Sequence, residues 1–140
     1  MIVTTIGKML DENIKTPFHW IYLCQDADIV LYVGRGDALE RLKGHLRLAD
    51  TLPATARSLF GWSIQANSPY SLGWVMTCYT FADCEQLFPG TAAQCGITSL
   101  EYPIRPAYAV EHGIVTYERK LIRLHRPCLN RLLYAKGGLS

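Results

Sequence analysis

Apolar and polar residues alternate in some stretches of the chain and recur at helical spacing in others. Near the amino terminus, helical spacing predicts an amphipathic helix within residues 1–18, closed at Pro17. Two alternating runs follow, Trp20–Cys24 and Ile29–Val33, and the turn-forming residues between them predict a β-hairpin. Further along, Trp74–Phe81 is typical of a third strand.

The alternation within the hairpin sorts its side chains onto two faces. Tyr22 and Tyr32 fall together on one face. The other face receives four aliphatic residues, Ile21, Leu23, Leu31 and Val33. For both sets to align, position 22 must pair with position 32, which requires an odd-numbered loop.

A capping-box pattern marks the start of the next element. Asp37 and Glu40 lie three residues apart and predict a helix over residues 38–48. Its apolar stripe consists of Leu39, Leu42 and Leu46. Arg41 and His45 lie four residues apart and share a face away from that stripe.

Two more helices are predicted in the second half of the chain. A short one covers Ala82–Phe88 and stops at Pro89, and a long carboxy-terminal one ends before Pro127. The apolar stripe of the long helix comprises Val110, Ile114, Tyr117, Leu121 and Leu124. Residues 49–73 and 82–108 are interpreted as insertion or variable segments.

These elements predict one domain spanning residues 1–140, since 140 residues suit a single core. Its class is α/β in the α+β arrangement: a small three-stranded, mainly antiparallel sheet flanked by helices. The first 18 residues would be a helical extension of that domain.

Composition removes several classes of protein. With 49% hydrophobic and 19% charged residues, the chain is not disordered, collagen-like or a coiled coil. Apolar runs stay below the ~20 residues of a membrane span, and the first residues do not resemble a signal peptide. We therefore expect a cytoplasmic protein with no membrane partner. The five cysteines are irregularly spaced without a Cys-x-x-Cys pair, which favours buried, reduced thiols.

The net charge of +2 is distributed unevenly. Residues 1–49 are balanced, whereas residues 118–140 carry six basic side chains and one acid, Glu118. A basic end on a neutral body suits a phosphate-binding surface. A solvated helix face has the same pattern, so charge alone leaves both readings open.

Trp20-Ile21-Tyr22 is followed along the chain by Tyr32-Val33-Gly34 and then by Arg41-x-x-x-His45 on a helix. This series resembles the GIY-YIG nuclease superfamily, with the first tripeptide at the GIY position and the second at the YIG position. Glu118, with Leu121-Ile122, Arg126-Pro127 and Asn130 after it, is similar to the metal-binding Glu and its tail in the bacterial excision-repair branch. The resemblance covers residues 20–48 and 111–131.

The resemblance implies metal-dependent hydrolysis of nucleic-acid phosphodiesters, with DNA favoured over RNA. Glu118 would hold one Mg²⁺ or Mn²⁺, Tyr22 would be the general base, and Tyr32 would orient the water or phosphate. Arg41 offers a guanidinium fork that fits phosphate. His45 would share proton transfer or bind phosphate.

Other residues are expected to support that site. Gly34 would allow a close turn from strand to helix. Asn130 would buttress the site through a hydrogen bond to backbone. Contacts to the phosphate backbone are expected from Arg35, Lys43, Arg119, Lys120, Arg123 and Arg126.

The pattern departs from the family at its first position, where Trp20 replaces the glycine. A catalytically silent nucleic-acid-binding or protein-interaction module on the same scaffold is therefore an alternative, and an RNA-cleaving toxin or effector is another. Oligomeric state stays open, with a homodimer among the options. Convergence of Tyr22, Arg41 and Glu118 on one water-filled space would favour the nuclease.

Overall fold

The protein is described by a computed structural model, which covers residues 1–51, 59–100 and 107–130. Four strands form one antiparallel sheet in the order β1-β4-β2-β3. The strands are β1 (Ile2–Thr5), β2 (Ile21–Asp26), β3 (Ile29–Arg35) and β4 (Val75–Tyr79). The mixed α and β class is confirmed, but the prediction of three strands was wrong.

The additional strand lies inside the segment predicted to be a helical extension. Ile2–Thr5 is rich in β-branched residues and pairs with β4, with Ile2 opposite Cys78. The helix α1 covers only Ile6–Asp11, and the Thr5 hydroxyl accepts a hydrogen bond from the backbone N–H of Lys8 at 3.2 Å. The helix cap at Thr5 therefore separates a strand from a helix within the segment whose apolar spacing predicted a single helix.

The hairpin forms as predicted but with a different register. Tyr22 lies opposite Gly34 and Cys24 opposite Tyr32, whereas pairing of Tyr22 with Tyr32 was expected. The strands are joined by a two-residue turn in which Ala27 has a φ of 51°, and a register shift follows at Cys24/Gln25. That bulge changes which residues of β3 face each side of the sheet.

Six helices accompany the sheet in the described part of the chain. After α1 they are α2 (Ala38–Thr51), α3 (Leu59–Ala66), α4 (Phe81–Leu87), α5 (Thr91–Cys95) and α6 (Ala107–His125). The predictions of α2, α4 and α6 are confirmed. The helices α3 and α5 were missed, since each is short and lies in a segment without readable periodicity. Part of both variable segments, residues 52–58 and 101–106, lies outside the described residues.

Two apolar clusters cover the two faces of the sheet. The first cluster lies against α1, α2 and α3 and includes Tyr22, Leu42 and Phe60. The second lies against α4 and α6 and includes Val33 and Tyr117. Helices on both faces bury the sheet, which is the physical reason why it forms a core.

The side-chain faces of the hairpin are partly as predicted. Tyr22 and Tyr32 both pack in the first cluster, and Ile21, Leu23 and Val33 in the second. Leu31 packs in the first cluster, contrary to prediction, because the bulge places it beside Tyr32. Leu124, assigned to the stripe of α6, is instead exposed.

Two further predictions concern the cysteines and the membrane. All five thiols are free, and four of them are buried, as expected; Cys128 is exposed. Within the described residues, none of the helices combines the length and apolar character needed to cross a bilayer.

Candidate functional site

Tyr22 is 1% exposed, and its ring crosses the backbone of Gly34 on the neighbouring strand. A Cβ at position 34 would collide with the ring and hydroxyl of Tyr22. Because β3 is the edge strand, this missing side chain lets Tyr22 extend toward the edge of the sheet. Gly34 therefore serves close packing with Tyr22 as well as the chain direction expected of it.

Tyr32 and His45 form an aromatic group beside Tyr22. The ring of Tyr32 stacks on Phe60 at 4.5 Å between centroids and meets the edge of His45 at 5.4 Å. It lies 6.1 Å from the ring of Tyr22, and a hydrogen bond between the two hydroxyls partly offsets the rise that burial causes in the pKa of Tyr32. Phe60 belongs to α3, which approaches α2 closely because Gly61 carries no side chain against the carbonyl of His45.

The tripeptide Gly34-Arg35-Gly36 follows Val33, and the charged side chains of this region meet at it. Arg41 on α2 donates from Nε to the carbonyl oxygen of Arg35 at 3.2 Å. Gly36, at a φ of 97°, turns the chain beneath that guanidinium, and its N–H donates to the carbonyl of Trp20 at 2.8 Å. Arg41 is thereby held at the end of the hairpin.

Glu118 reaches the same tripeptide from α6. Its Oε1 lies 3.8 Å from Nη1 of Arg35, and 15% of its side chain is exposed compared with 47% for Arg35. Helix α6 lies along β3, which brings Glu118 to the edge of the sheet that Tyr22 also approaches. Tyr22, Arg41 and Glu118, far apart in sequence, thus all contact or adjoin residues 34–36.

The charges of this group act on one another through a partly buried environment. Burial raises the pKa of Tyr22 well above its ordinary value; the Tyr32 and Glu118 charges add to this, and Arg41 opposes it. Burial likewise raises the pKa of Tyr32, with Glu118 adding and Arg41 and Arg35 opposing. Both phenols are protonated at neutral pH, so the expectation of a Tyr22 pKa lowered by Arg41 is not met in the free protein.

His45 and Glu118 shift in the directions that burial dictates. Burial, then the charge of Arg41, lowers the pKa of His45, so its imidazole is neutral at pH 7. Its Nδ1 is buried and has no hydrogen-bond partner among the described residues. Burial raises the pKa of Glu118 despite the opposing charges of Arg35, Arg119 and Arg41. Burial therefore outweighs the nearby guanidinium charges in setting the direction of this pKa shift.

A cleft of about 380 Å³ opens beside these residues. Arg35 and Arg41 line one side, and successive turns of α6 line the other with Glu111, Ile114 and Val115. Glu118 follows Glu111 by seven residues, so both acids belong to the same face of α6. The cleft is thus lined by two guanidinium groups and one carboxylate, that of Glu111; Tyr22 and Glu118 adjoin residues 34–36 but are not among the described residues that line the cleft.

Asn130 supports β3 from outside the sheet. Its side-chain oxygen accepts from the N–H of Val33 and its amide nitrogen donates to the carbonyl of Val33, each at 2.9 Å. The residue is buried in the short 3₁₀ turn Cys128–Asn130. Asn130 makes the backbone hydrogen bond expected of it, and it completes the edge strand as an adjacent strand would.

The basic residues predicted to contact phosphates do not form one group. Arg35 belongs to the cleft, and Arg119 is exposed beside Glu118. Lys43 donates to the Asn13 side chain at 3.1 Å and lines a different cavity. The structure does not bring Lys120 to the site, because its ammonium donates to Thr91 at 2.7 Å and lies over the Phe88 ring.

Two positions of the carboxy-terminal end complete this set. Arg123 and Arg126 are exposed beyond Glu118. Arg131 and Lys136, which contribute to the basic charge of this end, lie outside the described residues.

Glu118 is the residue that would hold a divalent cation. Within the described ranges, no group of three or more His, Cys, Asp or Glu side chains is placed to hold a metal. Mg²⁺ and Mn²⁺ often bind through one or two carboxylates, several waters and substrate phosphate oxygens. Glu118 would supply the one carboxylate of this mode, since its side chain is 15% exposed and lies at the end of the hairpin beside Arg35.

Sequence reasoning missed two residues of this region. Phe60 stacks on Tyr32 but lies in a segment whose sequence has no clear period. Glu111 lines the cleft, and here a signal was available, because a spacing of seven from Glu118 indicates a common helix face.

Comparison with known proteins neither identifies nor excludes the family. No family model matches the chain, and no curated protein or solved structure matches it significantly. The resemblance to GIY-YIG nucleases therefore depends on the motif residues and on their placement in the fold.

Proposed function

We propose that this protein is a metal-dependent endonuclease that hydrolyses phosphodiester bonds of nucleic acid, with DNA the favoured substrate. The proposal places the scissile phosphate in the cleft between Arg35, Arg41 and α6. It assigns the proton transfers to Tyr22 and its hydrogen-bonded neighbours.

The observation that supports the proposal best is the meeting of three elements at residues 34–36. Tyr22 packs over Gly34, Arg41 bonds to the carbonyl of Arg35, and Glu118 lies beside the guanidinium of Arg35. A solvated helix face would not require Arg41 at this point, and a surface ion pair would not require Glu118 to be mostly withdrawn from water. The three residue types are those that phosphodiester hydrolysis needs.

Each residue has a distinct role in the proposed reaction. Arg41 binds a non-bridging phosphate oxygen through its remaining N–H groups and stabilises the charge that develops there. Arg35 moves from Glu118 to the phosphate as substrate enters, since its side chain is half exposed. Glu118 would hold the divalent cation, which supplies Lewis-acid charge at the phosphate when bound.

The raised pKa of Tyr22 defines what its hydroxyl does before substrate binds. A protonated phenol donates a hydrogen bond, so Tyr22 holds Tyr32 in place in the free protein. To accept a proton from water, Tyr22 must first release its own phenolic proton to solvent, and this needs additional positive charge nearby, because burial and Glu118 both oppose its ionisation. Neutral His45, which touches Tyr32, is a second acceptor within this group.

The alternative is a silent nucleic-acid-binding module, and one observation favours it. Arg35 already faces the carboxylate of Glu118, and neither tyrosine is ionised. A protein that only binds phosphates would retain the arginines and would need none of these groups to change state.

Cleavage of plasmid DNA distinguishes the two functions. The purified chain is incubated with supercoiled plasmid, and in parallel with RNA, in Mg²⁺, Mn²⁺ or EDTA. We expect nicking in either metal and none in EDTA. Glu118→Gln should abolish it while retaining nucleic-acid binding, and Tyr22→Phe should slow single-turnover cleavage about 10²–10⁴-fold.

Tyr79→Phe is the matched control, because Tyr79 is a half-buried tyrosine of the same sheet that packs in the second cluster, away from the cleft. It should cleave at the parent rate. Binding without cleavage under every metal condition would establish the silent module instead.

A further inference from the structure

A second and larger cavity adjoins the cleft. It has a volume of about 690 Å³ and lies between the segment Asn13–Trp20 and the beginning of α2. Trp20 lines both this cavity and the cleft of Arg35 and Arg41, so the two spaces adjoin at this residue. The volume is within the range of cavities that enclose small organic ligands.

Two aromatic side chains form one wall of the larger cavity. Phe18 and Trp20 meet edge to face, with ring centroids 6.3 Å apart and planes at 85°. Trp20 is also packed against Phe81, at 6.5 Å, which holds it in place from the core side. Exposed rings on a fixed backbone are the surfaces on which nucleobases stack.

The backbone at Phe18 is unusual for an aromatic residue. Its φ is 61°, in the left-handed region that disfavours residues with a large side chain, and 46% of the residue is exposed. The neighbouring His19 ring bonds the carbonyl of Pro17 at 2.6 Å, and Thr16 donates to Asp37 at 2.8 Å. The chain thus keeps a partly exposed aromatic residue in a sparsely populated backbone conformation, a cost that a ligand would offset.

The charges lining this cavity balance, unlike those of the cleft. Lys15 and Lys43 line it together with Asp37 and Glu40, so the cavity has no net charge that would select a phosphate. Carboxylates at its rim accept hydrogen bonds from the ring N–H and exocyclic amino groups of a base. An uncharged ring with polar edges fits this cavity, and an anion fits the cleft.

We propose that the cavity receives one unpaired nucleobase of the strand whose phosphate occupies the cleft, stacked on Phe18 and Trp20. This inference rests on the proposed function, since it takes the cleft to be the phosphate site. It assigns to Trp20, which replaces the glycine of the family pattern, the positioning of an unstacked nucleotide. Single-stranded or locally opened nucleic acid would accordingly be the favoured substrate.

Binding by a non-cleaving form of the full chain tests the inference. The Glu118→Gln variant is titrated with fluorescent single-stranded oligonucleotides of DNA and RNA, and with the corresponding duplexes, and the dissociation constant is measured by anisotropy. A set of oligonucleotides carries a single abasic site moved along the strand. We expect tighter binding of single strands, and one abasic position that weakens binding about tenfold.

Variants of the aromatic wall identify the base that is bound. Phe18→Ala in the same background should weaken binding about tenfold. The dissociation constant of this variant should then no longer depend on the position of the abasic site. Trp62→Ala is the matched control, since Trp62 is 43% exposed but lines neither cavity, and it should change nothing. Quenching of tryptophan emission by the oligonucleotide should largely disappear in Trp20→Phe, whose smaller ring still stacks.

The outcomes separate this inference from the proposed function. An unchanged affinity of Phe18→Ala, or an abasic scan that is already flat in the parent, would overturn the base site whatever the plasmid assay shows. Stacking that depends on Phe18, in a protein that never cleaves plasmid or RNA, would support the base site and contradict the nuclease. Thermal unfolding of Phe18→Ala near the parent temperature verifies that the variant is folded.

Discussion

At the scale of single residues, the glycine at position 34 decides whether Tyr22 can reach the edge of the sheet. The two residues lie directly opposite each other, and the ring of Tyr22 occupies the space that a side chain at position 34 would need. The close approach of Tyr22 to the arginines and Glu118 therefore depends on the absence of a Cβ at position 34.

A substitution at this glycine gives the first prediction. Gly34→Ala should destabilise the fold by about 1–3 kcal/mol through overpacking and should abolish cleavage, because Tyr22 must leave its position. Gly44→Ala is the control, since nothing lies within 4 Å of a Cβ there and α2 should gain about 0.5–1 kcal/mol. Chemical unfolding and plasmid nicking measure the two effects. A fully active and stable Gly34→Ala protein would contradict this packing.

The carboxylate of Glu118 gives the second prediction. Because burial raises its pKa in the folded state, the native protein binds a proton in a pH window where the unfolded chain has released it. Its contribution to stability is therefore complete at pH values below the ordinary glutamate pKa and is lost as pH rises through the raised pKa. Relative to Glu118→Gln, the parent should lose stability over that window and be the less stable protein at pH 7.

Unfolding of both proteins as a function of pH measures this difference. Mg²⁺ should then stabilise the parent at pH 7, by about 2.7 kcal/mol at one hundred times its dissociation constant, but not the Gln variant. A parent that gains stability over Glu118→Gln as pH rises would show that Arg35 outweighs the burial of the carboxylate.

At the scale of elements, the edge of β3 is completed by one side chain. Asn130 pairs with both polar backbone groups of Val33, and helix α6 lies along the same strand. The edge that carries the candidate site is thus closed to pairing with another chain at this point. The 3₁₀ turn after α6 and the hairpin are joined across 97 residues of sequence.

Replacing Asn130 should show how much the stability of the fold depends on its two hydrogen bonds to Val33. Asn130→Ala leaves the N–H and carbonyl of Val33 without partners and should cost about 1–3 kcal/mol. Asn130→Asp keeps the size and the acceptor but loses the donor, so it should also destabilise the fold. Asn67→Ala is the control, because Asn67 bonds a single carbonyl at an exposed helix end. Hydrogen exchange at the Val33 amide should accelerate in Asn130→Ala; an unchanged rate would contradict the role of Asn130.

At the scale of the whole molecule, positive charge is concentrated on one end of α6. Arg119 and Arg123 are exposed there, whereas Lys120 is engaged with Thr91 on another side of the helix. A phosphate backbone lying along the cleft would pass this end. Only some of the basic residues identified in the sequence are therefore suitable phosphate contacts.

Salt dependence of nucleic-acid binding tests this division. Affinity should fall steeply with salt, and Arg123→Gln should reduce the slope of log K against log salt by about 0.7–0.9, similarly for all sequences. Lys120→Gln should leave the slope unchanged and instead lower stability by about 0.5–1.5 kcal/mol, through loss of its bond to Thr91. Equal slopes for parent and Arg123→Gln would place Arg123 outside the contact surface.

Much of the local structure follows from the sequence alone. The alternation along residues 20–33 places Tyr22 and Tyr32 on one face of the sheet, and the stripe of Leu39 and Leu42 orients α2 so that Arg41 points away from the core. Backbone geometry repeats within a strand or a helix, and these features depend only on neighbours a few residues away. The faces on which Tyr22, Tyr32 and Arg41 lie were determined at this level, whereas their assignment to a candidate site depends on the resemblance to the nuclease family.

Tertiary structure decided the rest, because it depends on contacts between distant segments. The strand Ile2–Thr5 exists through its pairing with β4, and the register that sets Tyr22 against Gly34 follows from a bulge. The meeting of Glu118 with the hairpin depends on how α6 lies along β3. The raised pKa values of Tyr22 and Glu118 follow from burial, which no residue possesses before the chain has folded around it.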